Sequence, residues 1–83
     1  MHSDTFEMLV QMMRTADKTY GDFTSTHEAL GVMLEEWDEL REAIRHNEAD
    51  LVQGECLDLA SVLLRLHDQL EASAELRRRS GME

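Results

Sequence analysis

Leu30-Gly31-Val32-Met33-Leu34-Glu35-Glu36-Trp37-Asp38-Glu39-Leu40-Arg41-Glu42-Ala43-Ile44 is the stretch that decides the fold. At about 100° per residue it sorts into three arcs of a helix. Leu30, Met33, Leu34, Trp37, Leu40 and Ile44 make an apolar stripe, expected to be the core face with Trp37 as its anchor. His27, Glu28, Glu35, Asp38, Glu42 and Arg45 make the solvated face. Glu36 and Glu39 belong to neither; they share an arc with Ala29, Val32 and Ala43, where an acid present only for solubility is out of place.

Outward from this helix, the chain reads as all-α. It has no proline, and alternation of the kind that marks strands is absent. Ser25-Thr26-His27-Glu28 has the form of a capping box, so the helix is expected over about 25–46. Before it, Phe6, Leu9, Val10, Met13, Ala16 and Tyr20 recur at helical spacing, predicting a helix over 3–20 capped by Ser3 or Asp4 and broken at Gly21. After it, the polar run His46 to Asp50 is a turn, and a third helix is expected over 51–79, with Ser80-Gly81 as its stop. The 83 residues suit a single domain, 1–83.

The third helix is apolar on two sides. Val52, Leu59, Val62, Leu63, Leu66 and Leu70 line one face; Leu57, Ala60 and Leu64 line another nearly opposite. Two other helices cannot cover both, and Met8, Met12 and Met13 add apolar surplus on the first. Oligomerisation is therefore expected to complete a four-helix or larger bundle, as a homodimer or, next, a homotetramer built from dimers.

Glu55 falls inside the first face of this helix and Asp58 at its edge; a carboxylate so placed requires a cation, a donor or a metal. In an antiparallel hairpin turning at Asn47, Glu39 comes level with Glu55 and Glu36 with Asp58. Four hard oxygen donors converging this way suit Mg²⁺, or Mn²⁺, better than zinc. The bland alternative is a set of salt bridges to Arg14, Lys18, Arg41 or Arg65. A di-iron bundle is disfavoured because no Glu-x-x-His occurs. His67 is expected to be structural, bordering the core, and the lone Cys56 to be a buried thiol.

The charge balance, 18 acidic against 8 basic residues for a net -10, argues against nucleic-acid binding. No stretch is long and apolar enough for a membrane span and the start lacks a signal-peptide pattern, so a cytoplasmic protein is expected. An acidic protein handles a phosphorylated small molecule only when divalent cations stand between the two sets of negative charge.

Leu34-Glu35-Glu36-Trp37-Asp38-Glu39-Leu40, followed by Glu55-Cys56-Leu57-Asp58 with a spacer of 15 residues from Leu40 to Gly54, resembles the E-x-x-E, spacer, E-x-x-D signature of the MazG-like all-α NTP pyrophosphohydrolases, over about Phe23 to Leu70. The resemblance implies cleavage of a nucleoside triphosphate to the monophosphate and pyrophosphate as cellular house-cleaning. It implies Glu36, Glu39, Glu55 and Asp58 as Mg²⁺ ligands, with Glu35 placed to orient the attacking water beside Glu36 and Glu39. Family members commonly carry a basic fourth helix. Here the chain ends soon after Arg79, so phosphate contacts are expected from Lys18, Arg41, Arg65 or the terminal arginines, some from a partner subunit. Phe23 and His27 are the candidates for the base pocket. The other class of function left open is a helical interaction module that keeps the acidic motif without turnover.

Overall fold

A computed structural model describes residues 1–81. Its three helices are α1 (Ser3–Tyr20), α2 (Thr26–Arg45) and α3 (Ala49–Gly81), so the protein is all-α, and the described residues include no strand. α3 packs against both other helices, whereas α1 and α2 make no close backbone approach to each other.

The helix ends follow local chemistry. Ser25 caps α2 by accepting the Glu28 N–H at 3.1 Å. The Glu28 carboxylate does not return to Ser25; it accepts from the Thr24 hydroxyl at 2.6 Å and the Thr24 N–H at 3.4 Å. α2 ends in a Schellman turn: the Glu48 N–H donates to the Ala43 carbonyl at 3.2 Å and the Asn47 N–H to the Ile44 carbonyl at 3.1 Å. Asn47 takes the left-handed conformation this requires, with φ 54°. The Val52 N–H then reaches the Glu48 carbonyl at 2.9 Å, so α3 begins at Ala49, two residues earlier than the capping pattern around Asp50 suggests. At the far end α3 continues through Ser80 and Gly81. The cap of α1 is His2, without a side-chain bond; Ser3 and Asp4 are already helical. Gly21, at φ 72°, closes α1 by donating to the Asp17 carbonyl at 2.9 Å.

The solvated arc of α2 is exposed as expected, but the inward face shifts from the expected stripe toward the neighbouring arc. Ala29 and Ala43 are buried and Val32 half-buried, so the arc holding Glu36 and Glu39 is the one turned toward α3. Of the stripe expected to be core, Leu40 is buried and Met33 half-buried, but Leu30, Leu34, Trp37 and Ile44 are each about half exposed. The physical reason is size: small residues let α2 approach α3 closely, and the larger side chains are left on the far side. Cys56 is likewise exposed rather than buried. His67 is solvent-facing, paired with Asp68 at 3.0 Å. The core proper is Phe23, Ala29 and Val62, with Val32, Met33 and Leu66 packed against it.

Candidate metal centre

The α2–α3 hairpin brings Glu36, Glu39, Glu55 and Asp58 together: each offers a carboxylate oxygen lying within 4.8 Å of the others. Among the described residues no lysine, arginine or histidine pairs with them. Arg41 pairs with Asp38 at 3.3 Å, Arg45 with Glu42 at 3.1 Å and Arg65 with Asp17 at 2.8 Å. The salt-bridge alternative therefore has no partner in place within this chain.

Uncompensated charge shows in the protonation equilibria. The Glu36 carboxyl is pushed up from 4.5 to about 7 by burial, then by the charges of Glu39, Asp58 and Glu55. Glu55 is raised by burial, with Glu39 and Asp58 adding to it. One oxygen of each, Oε2 of Glu36 and Oε2 of Glu55, is buried without a hydrogen-bond partner. Orphaned buried oxygens of this kind are costly unless a cation fills the space between them. The donor set, all carboxylate oxygen, fits Mg²⁺ or Mn²⁺.

Beside the acids lies a groove of about 830 Å³, walled by α1 and α2 and floored by α3. Glu35, Glu36 and Asp58 stand at one part of its lining, with Glu35 turned into the groove although its arc reads as solvated. Met8, Met12 and Ala16, at steps of four along α1, give the facing wall an apolar surface; Phe23, Ser61 and Val62 also line the space. Met8 and Met12 thus serve the groove within one chain.

The other expected contacts separate. Phe23 and Arg65 line the groove; Lys18, His27 and Arg41 lie outside its lining. Phe23 is 7% exposed, a core residue whose backbone is held at both ends by the Gln69 amide: its N–H donates to Gln69 Oε1 at 2.8 Å, and Gln69 Nε2 donates to its carbonyl at 2.7 Å. Arg65 is buried and committed. Its Nε donates to Asp17 at 2.8 Å, its Nη2 to the Gly21 carbonyl at 2.9 Å, and its guanidinium lies 4.8 Å from the Phe23 ring centroid. It ties the α1 end and the following loop to α3. Asp17 and Gln69 are the residues missed by the sequence reading. Gln69, a polar residue on the apolar side of α3, carried the same signal that singled out Glu55.

Comparisons with family models, with curated proteins and with solved structures return no match. No helix of the described residues is long and apolar enough to cross a membrane.

Proposed function

We propose that the chain is a Mg²⁺-dependent nucleoside triphosphate pyrophosphohydrolase of the MazG-like kind, converting an NTP or dNTP to the monophosphate and pyrophosphate. The observation that carries this reading is the four-carboxylate cluster with two orphaned buried oxygens, opening onto a groove of nucleotide size. Glu36, Glu39, Glu55 and Asp58 would hold the metal, which when bound neutralises phosphate charge and lowers the pKa of water. Glu35, on the groove wall beside Glu36, orients the attacking water through its carboxylate. The Met8–Met12 wall and the neighbourhood of Phe23 accept the flat apolar face of the base. Because Arg65 is already spent on Asp17 and Gly21, the phosphates draw positive charge from the metal or from another subunit.

The exposed apolar side of the α2–α3 hairpin, with Leu30, Leu34, Trp37 and Ile44, supports assembly into a homodimer or homotetramer that completes a four-helix or larger bundle. The same face, together with the absence of Lys18 and Arg41 from the groove lining, favours the second reading, a helical interaction module without turnover.

A panel of ribo- and deoxyribonucleoside triphosphates incubated with protein and Mg²⁺, read by pyrophosphate release, decides between the two. Turnover that disappears in Glu36→Gln supports the hydrolase. Folded wild-type protein releasing no pyrophosphate from any of them removes it and leaves the interaction module.

A further inference from the structure

Beyond Gln69 and its two bonds to Phe23, the last turns of α3 run on past the start of α2. With the hairpin turning at Asn47, the first residue of α2, Thr26, stands level with Asp68; the remaining turns through Gly81 project past it by about 20 Å. A lone helical segment of that length is marginal in water, so packing against another surface is what holds it. Along α3 the exposed residues Cys56, Leu63, Leu70 and Arg77 recur at steps of seven, forming one stripe on the side away from α1. That stripe is self-complementary. Turned end for end about a point between Leu66 and His67, it sets Leu63 against Leu70, and Cys56 against Arg77, as an isologous contact demands.

We propose that two copies pack α3 against α3 in this antiparallel register, each laying its projecting segment over the other's hairpin and bringing Arg77 beside Glu55 of the partner's acid cluster. The choice of a second copy rests on charge. Four acids lack any cationic partner within the described residues of their own chain, and Arg77 is exposed on the projecting segment of the same helix, one step from the level of Glu55 when the helices are reversed. Arg77 points into the stripe on the side of α2, whereas Arg78 is turned about 100° away. The inference rests on the assembly proposed above and is independent of the hydrolase chemistry.

The single native cysteine tests the register. Two Cys56 side chains lie about 30 Å apart along the paired helices, so wild-type protein treated with a short bis-maleimide stays uncrosslinked. Arg77→Cys places a thiol across from Cys56 of the partner and should give a covalent dimer. The product should be lost on adding Cys56→Ser and strongly reduced when the new cysteine is at Arg78. Light scattering on the untreated protein supplies the second measurement. A dimer that Arg77→Cys does not crosslink, or a wild type that crosslinks through Cys56, overturns the register while the covered hairpin face stands. A folded monomer at micromolar concentration overturns both.

Discussion

Replacing Glu36 by Gln should stabilise the metal-free protein at neutral and alkaline pH, and the size of the effect follows from the cluster. The carboxyl is raised from 4.5 to about 7, chiefly by burial and then by Glu39, Asp58 and Glu55. The native state therefore holds this proton more tightly than the unfolded chain does. Its contribution is complete below the ordinary value and is lost as pH climbs through about 7. Fully expressed, the shift is worth roughly 3 kcal/mol. Glu36 is only half-buried, and solvent screening reduces this to about 1–2 kcal/mol, or roughly 5–10 °C in Tm for a domain of this size.

Thermal melts followed by circular dichroism in chelator, at steps between about pH 5 and pH 8, should show wild-type Tm falling across the window. Glu36→Gln should remove most of the fall, melting above wild type at the alkaline end and close to it at the acid end. His67, held above its ordinary value by its bond to Asp68 and by Glu71, acts in the same direction, and His67→Gln separates its share. A wild-type Tm in chelator that is flat or rises with pH would refute the argument that burial and the neighbouring carboxylates hold the Glu36 proton. So would a Glu36→Gln variant no more stable than wild type at the alkaline end.

Mg²⁺ should reverse this order, stabilising wild type by about 2.7 kcal/mol at a hundredfold excess over Kd, with Glu55→Gln abolishing the increment; calorimetric titration checks both. Arg65→Ala should cost about 2–3 kcal/mol in denaturant unfolding, because it leaves the Gly21 carbonyl and the Phe23 ring uncovered as well as releasing Asp17. Phe23→Ala should cost about 3 kcal/mol through the core cavity, so any loss of substrate affinity must be measured where the variant is still folded. Asn47→Gly should leave the fold unchanged and raise stability by about 0.5 kcal/mol, since the left-handed φ is free for glycine.

How far the sequence carries depends on what kind of information each feature needs. Helix existence, the reversal at Asn47 and the level pairing of Glu36 with Asp58 and Glu39 with Glu55 are properties of spacing, and spacing is fully present in a sequence; the cluster assembles as the count from the turn predicts. Which face of α2 meets α3 is different, because hydrophobicity and packing distance compete. Leu30, Leu34, Trp37 and Ile44 outrank Ala29, Val32 and Ala43 in apolar area, yet the smaller residues let the helices close enough for opposed acids to meet. The acid cluster and the exposed leucine stripe are then two results of one choice. A helix that turns its small, acid-bearing arc inward must leave its large residues outside. Arg65 illustrates the remaining limit. Its charge marks it as a phosphate ligand by composition, but its role is set by Asp17 and Gly21, which lie more than forty residues away in the chain and meet it only after α1 has docked. A buried cation already holding two acceptors stabilises the wall of the groove, and under the proposed function the positive charge for the phosphates would have to come from elsewhere.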